Sequence, residues 1–454
     1  MSAVIEALAA ALPGALRLGP EVPGRNRADW SGEAPAIPRA LLLPRSTQEV
    51  SAALAICHAH GQPVCVQGGM TGLAGGATPA ETEVALSLER MSGIEELDEQ
   101  AATLTALAGT PLALVQQAAE AAGFRCGVDL GARGSCTIGG NVATNAGGVQ
   151  VLRYGMARRN VLGLEAVLAD GTILSCLNKM LKNNAGWDWT QLFIGSEGCF
   201  GVVTRVVLAL HPAPSAVQTA LCAVPGFAAA LALLRRAERA LPRGLLAFEA
   251  MWADFYATAT GPVGLSAPLP QGAPLYLLIE AEAAREAFEE ALGALLAEGA
   301  IAEAVVARSE EERRRLWALR ESPAEYRRCL PPAVGFDVSV PLARMEQAVA
   351  ELRGMLARGW PQAMPVFFGH VADSNLHLIV PVPGLTKDIK RAIEEAVYAA
   401  VARFGGSVSA EHGIGRLKRP FLPLSRSGPE LALLSTLKQA LDPKGILNPG
   451  RVLP

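Results

Sequence analysis

From Leu41 to Leu210, short apolar runs alternate with glycine-rich loops and short helical stretches. Val64-Cys65-Val66, Glu83 to Leu88, Leu164 to Leu168 and Gly201 to Leu208 are brief and mostly rich in valine and leucine, which predicts strands. His211-Pro212-Ala213-Pro214 breaks that pattern and marks a boundary. Beyond it, strand-like runs at 217–223, 245–251, 275–281, 335–341, 365–371 and 376–382 are separated by helical patterns at 226–240, 284–298, 342–357 and 386–403. Such alternation predicts an α+β layer of sheet and helices of the ferredoxin-like kind. Residues 1–36 predict a short helix and a Pro/Gly/Arg-rich lead-in, and Leu441 to Gly450 carries turn chemistry. The expected organisation is a lead-in (1–36), a first domain (37–214), a second domain (215–405) and a C-terminal segment (406–454).

Three glycine-rich stretches lie in the first half: 67–76, 137–148 and 195–203. Glycine lets backbone N–H groups approach a ligand closely, and successive N–H groups form nests that hold phosphate without a basic side chain. Three such loops beside strands point to a large phosphate-bearing cofactor; the alternative is tight turns alone. No Gly-x-Gly-x-x-Gly opens an early βαβ unit, and no Gly-Lys-Ser/Thr follows a glycine loop, so neither common nucleotide fold is supported.

Half of the 454 residues are apolar, enough for two or three cores. A net charge of −3 without a long basic run argues against a nucleic-acid partner. The eight cysteines form no Cys-x-x-Cys pair, which speaks against an iron–sulfur cluster or zinc ribbon in this chain. With no signal-peptide pattern and no apolar stretch long enough for a membrane span, a cytoplasmic location with reduced thiols is expected.

Three of only six histidines fall in two motifs, Gly369-His370-Val-Ala-Asp373-Ser374-Asn375-Leu-His377 and Glu411-His412-Gly413. With Asp373-Ser374 as a two-residue turn, 372 pairs with 375, 371 with 376 and 370 with 377. His370 and His377 are then directly opposite, Cβ atoms roughly 4.5–5.5 Å apart, where two imidazoles can share a divalent metal and Glu411 can add an oxygen ligand. The residues equally allow hydrogen-bonded histidines on a hairpin and an N-capping glutamate.

Leu130 to Asn141, Asn145-Ala-Gly-Gly148, Tyr154-Gly155, Val161 to Glu165, Ala169-Asp-Gly171 and Phe193-Ile-Gly-Ser-Glu-Gly198 resemble, almost continuously, the FAD-binding domain of the vanillyl-alcohol oxidase (PCMH-type) superfamily. The resemblance runs from about Ile37 to Leu453 and is best with the FAD-linked D-2-hydroxyacid dehydrogenase branch. It implies a PCMH-type FAD-binding domain, a ferredoxin-like cap and a tail returning to the FAD domain. It implies FAD, read as noncovalent because Met70 and no histidine stands in the first loop, held by Gly68, Gly69, Met70, Thr71, Gly72 and Leu73, by Leu130, Thr137, Gly139, Gly140, Asn141, Asn145 and Gly147, and by Glu197, Gly198, Gly201, Val203 and Asn448. Cys65 and Cys136 are the formal candidates for a covalent tether. It further implies a divalent metal, usually zinc, on His370, His377 and Glu411, with His412 as base, Asn375 against substrate, and Arg320 on the substrate carboxylate.

The implied reaction is oxidation of a D-2-hydroxyacid to the 2-oxoacid, with hydride transfer to flavin. The substrate is a small 2-hydroxyacid such as D-lactate or D-2-hydroxyglutarate. The electron acceptor stays open among an electron-transfer flavoprotein, a quinone and a cytochrome, and a homodimer is allowed. Alternatives are the flavin subunit of a multi-subunit glycolate or lactate oxidase with an iron–sulfur partner, a noncatalytic flavin scaffold, and a nicotinamide-driven reductase. Five positions depart from the branch pattern: Ser374 for the hairpin glycine, Cys199-Phe200 for Thr-Leu, Gly335 for a lysine and Ala324 for a threonine of the 2-hydroxyglutarate enzymes.

Overall fold

The computed structural model describes residues 2–240 and 244–453. The chain forms two compact units, each assembled from separated stretches. The first comprises Met1–Gly148, Tyr154–Ala213 and Glu411–Pro454, and the second Val149–Arg153 and Pro214–Ala410.

In the first unit, a four-stranded sheet has the spatial order Leu16–Arg17, Ala40–Leu42, Val84–Ser87, Val64–Gln67. Its last three strands are parallel, as crossover connections such as the helix Thr47–His60 require. Ser46 starts that helix by accepting the Glu49 N–H, and Gly61 ends it at φ 61°. The N-terminal helix Ala3–Ala11 buries Val4, Ile5 and Leu8 in the same core as Leu42, Leu54 and Leu86. A second, antiparallel sheet has the order Ile94–Asp98, Thr103–Leu107, Val202–Pro212, Val161–Val167, Ile173–Cys176, with Phe124–Cys126 pairing against the end of the long strand. The tail closes this unit. Leu447 bridges Val64, Asn448 accepts the Val66 N–H, and buried Arg451 pairs with Glu83.

The second unit is one seven-stranded sheet. Its strands are β1 (Val217–Val224), β2 (Leu245–Trp252), β3 (Leu275–Glu282), β4 (Glu303–Val306), β5 (Ala333–Ser339), β6 (Val366–Gly369) and β7 (Asn375–Pro381). Its main helices are α1 (Phe227–Ala240), α2 (Ala253–Thr260), α3 (Arg285–Ala297), α4 (Glu310–Arg320), α5 (Met345–Gly359) and α6 (Lys387–Arg403). The spatial order is β4-β1-β3-β2-β6-β7-β5. The first four strands, with α1 and α3 as crossovers, form a complete ferredoxin-like βαββαβ unit. β5, α5, β6, β7 and α6 repeat that pattern, and the place of a fourth strand beside β5 is marked by a bridge between Ser339 and Ser407. One sheet face carries Met251, Tyr276, Leu278, Val366 and Phe368, packed with residues of α2, α4 and the short helix Tyr326–Cys329.

Candidate functional site

All the residues expected to hold FAD fall in the first unit, where glycines let the first two loops pack on one another. A Cβ on Gly69 would lie 2.1 Å from the Ser135 carbonyl oxygen, and one on Gly68 2.8 Å from Thr137 Oγ1. These two glycines therefore serve close approach of loop to loop. Seven non-glycine residues have positive φ among the described residues, and Met70, Asn145, Glu197 and Asn448 are four of them. Such strain concentrates where surrounding structure must hold a functional conformation. Thr137 Oγ1 and Asn141 Nδ2 are buried without a protein partner, which is what a site with polar atoms reserved for a bound cofactor requires.

Two expected cofactor residues use their side chains within the protein. Glu197 accepts the N–H groups of Ile414 (2.7 Å) and Gly415 (2.9 Å), so it clamps the loop that carries Glu411 and His412. Burial pushes its carboxyl above the usual carboxylate range, against these two N–H groups and Lys418, which lower it. Asn448 donates to the Glu197 carbonyl oxygen and accepts from Val66. In the same unit Glu411 accepts the Gly148 N–H at 3.0 Å. Gly148 has φ +88°, and a Cβ there would sit 1.8 Å from the Asp129 carbonyl oxygen.

The histidine hairpin of the second unit corrects one expectation. His377 pairs with Phe368, and His370 lies beyond the end of β6. A two-residue hairpin turn needs positive φ at its first central residue, and only Ser374 has it, at φ 71°. The chain instead makes a 3₁₀ turn over Val371–Asp373 closed by Ser374, with the His370 carbonyl oxygen accepting the Asp373 and Asn375 N–H groups. Gly369 permits this tight return, since a Cβ there would meet the Asn375 carbonyl oxygen at 2.4 Å. The two imidazoles still lie close together, edge to face, with ring centroids 5.3 Å apart at 80°.

A carboxylate lies beside each ring, and the one at His370 is within hydrogen-bond distance. His370 Nδ1 lies 2.6 Å from Glu249 Oε1, which fixes the orientation of the ring. Asp337, directly opposite His377 on β5, lies 3.9 Å from His377 Nδ1. Asn375 donates from Nδ2 to Asp337 at 2.8 Å, while its Oδ1 is buried with no protein partner. Arg320, at the end of α4, gives its Nε to Glu249 Oε2 at 2.7 Å, and its terminal nitrogen is 3.4 Å from His370 Nε2. The guanidinium lies over the Phe368 ring at 4.8 Å. Burial by itself would raise the Glu249 carboxyl, but His370 and Arg320 outweigh it and hold it below the usual carboxylate range. The motif reading missed Glu249. Its signal was an acidic residue inside the otherwise apolar run Leu245–Trp252.

Residues 38–177 match the family model described as FAD binding domain, and residues 213–452 match FAD linked oxidases, C-terminal domain. The chain is 41% identical to the mitochondrial D-2-hydroxyglutarate dehydrogenase of Bos taurus, covering 99% of this chain and 83% of that protein. It is 38% identical to the D-2-hydroxyglutarate dehydrogenase of Xanthomonas citri pv. viticola, covering 93% and 91%. Among solved structures, p-cresol methylhydroxylase with substrate bound shares the fold at TM-score 0.79 and 15% identity, covering 99% of this chain and 96% of that one. Alkyldihydroxyacetonephosphate synthase does so at TM-score 0.75 and 18% identity, covering 98% and 85%. With both family models matched and relatives aligned over nearly the whole length, the chain belongs to the FAD-linked D-2-hydroxyacid dehydrogenases.

Proposed function

We propose that the chain oxidises the C2 hydroxyl of a D-2-hydroxyacid with noncovalent FAD and a divalent metal held by His370, His377 and Glu411. The observation that carries this reading is the buried Glu249–His370 contact beside His377, because a carboxylate on Nδ1 is the usual support of a metal-binding imidazole. Chain continuity supports the third ligand. Ala410 N–H is bonded to the carbonyl oxygen of Asp337, the residue opposite His377, and Glu411 is the next residue. The two nitrogens and one carboxylate suit zinc, with room left for substrate oxygens.

FAD would supply the hydride acceptor, which no side chain can. The metal would lower the pKa of a bound hydroxyl. The protein's own groups do the rest. Arg320, fixed by Glu249, takes the C1 carboxylate with its remaining donors. A substrate carboxylate there also relieves the repulsion between a guanidinium and a neighbouring cation. Asn375, whose Oδ1 is buried without a protein partner, contacts the substrate. His412 removes the hydroxyl proton as general base. Cys65, a formal tether, is fully buried and its thiol is pushed up to about 12, so it is a poor nucleophile toward a flavin ring.

Anaerobic rapid mixing tests the reading. D-2-hydroxyacids should bleach the flavin, L-enantiomers should not, and a chelator should stop bleaching while the flavin stays bound. His412→Ala should slow flavin reduction by ~10²–10⁴-fold with FAD and metal retained, the deficit shrinking in alkali as hydroxide substitutes. Bleaching at the parent rate in H412A, or in a metal-free preparation, would reject the corresponding assignment.

A further inference from the structure

Residues 411–417 are held by all three glycine-rich stretches of the first unit. Ala74, in the first stretch, accepts the Arg416 and Leu417 N–H groups at 3.0 and 3.1 Å. Gly148, at the end of the second, gives its N–H to Glu411 at 3.0 Å. Glu197, in the third, takes the Ile414 N–H on Oε1 and the Gly415 N–H on Oε2. His412 thus lies between two pinned points, Glu411 and Ile414. Two neighbouring N–H groups turned toward one side chain call for two acceptor oxygens, which a carboxylate has and an amide lacks. Gly413 leaves room for that carboxylate, since a Cβ there would lie 2.7 Å from Glu197 Oε1. The Glu197 backbone is fixed in turn. Its N–H is bonded to the Ala143 carbonyl oxygen at 2.8 Å, and its own carbonyl oxygen accepts from Asn448 Nδ2. Both carboxylate oxygens are engaged by the 411–417 loop, and an anion is a poor neighbour for the phosphates of a dinucleotide.

From this we infer that Glu197 is a positioning residue for the general base: its carboxylate seats the His412 loop on the flavin-binding stretches, and its side chain is not a flavin ligand. The inference rests on the catalytic reading of His412 and extends it. A general base acts only within hydrogen-bond reach of the proton it removes, and a misplacement of about 1 Å can cost roughly 10²-fold in rate. Glutamine at 197 keeps the volume but sets an NH₂ donor against one of the two N–H groups.

The test begins with hydrogen exchange in the FAD-loaded wild-type protein. The Ile414 and Gly415 amides should be protected, and exchange at the free-chain rate would overturn the inference without any variant. Glu197→Gln should lose protection at one or both amides and keep its FAD. Its flavin reduction at saturating substrate should slow by roughly 10²-fold, with the half-saturating concentration nearly unchanged. Glu197→Asp, one methylene short of the two donors, should show the same split and serves if the amide variant fails to fold. Release of FAD from a folded variant would make the side chain a flavin ligand, and reduction at the parent rate after protection is lost would make it a structural tie. Either result, with His412→Ala slow, overturns this inference alone. Reduction at the parent rate in H412A would remove the catalytic reading and this inference with it.

Discussion

Glu249 shows how one buried side chain can serve two others. Only 1% exposed, it holds His370 through one oxygen and Arg320 through the other. Glu280 on the same sheet face is a natural control. It is equally enclosed, but its partners are Thr219, Arg313 and Trp317, all remote from the histidines in the chain. Glu249→Gln keeps the volume and an acceptor for His370 but leaves the Arg320 charge without its partner. Metal affinity should fall by about 10–100-fold, and KM should rise as Arg320 loses its fixed orientation. Glu280→Gln should lower thermal stability and leave metal affinity and KM in place. Metal titration of both variants decides it. Equal losses, or none, would make Glu249 a structural residue.

At the scale of elements, the histidine hairpin depends on a short irregular turn. Ser374 takes a left-handed conformation in which most side chains are strained. Serine tolerates it better than a β-branched residue, and glycine accepts it freely. Ser374→Gly should change stability little, since relief of that strain is offset by about 0.5–1 kcal/mol of added chain entropy. Ser374→Val should destabilise by about 1–3 kcal/mol and lower metal occupancy, because the turn sets the approach of His370 to His377. Denaturant titration with metal analysis separates the two. Unchanged metal content in a destabilised S374V would show that the rings keep their geometry without the turn.

Across the whole molecule, burial decides which thiols can react. Cys57, Cys65, Cys199 and Cys222 are pushed up to about 12 and Cys126 to about 11, in each case chiefly by burial; Cys136 is raised for the same reason. Cys329 alone is exposed, and Cys176 is partly so. Near pH 8 the folded protein should therefore show one fast thiol, absent in Cys329→Ser, and a slower one at Cys176. The other six should react only on unfolding. Rapid modification of all eight in the native state would contradict the packing of both units.

Local pattern determined much of this architecture. The strands expected at 217–223, 245–251 and 275–281 are observed at Val217–Val224, Leu245–Trp252 and Leu275–Glu282, and the helix expected at 386–403 is Lys387–Arg403. Apolar periodicity acts within a few residues, so a single chain reveals it. The glycine loops and both histidine motifs were legible for the same reason, their chemistry being concentrated in short segments. Helix α2 and the short strand β4 were not anticipated, because neither stands apart from its neighbours in composition. What pairs with what required the fold. The hairpin register depended on which residue could take a positive φ. The role of Glu197 came from N–H groups more than 200 residues away, with a sequence separation of 217 to Ile414. Glu249 meets His370 at a separation of 121 and Arg320 at 71. Such contacts leave no local period, because they are set by the order of strands in a sheet and by which face each residue occupies.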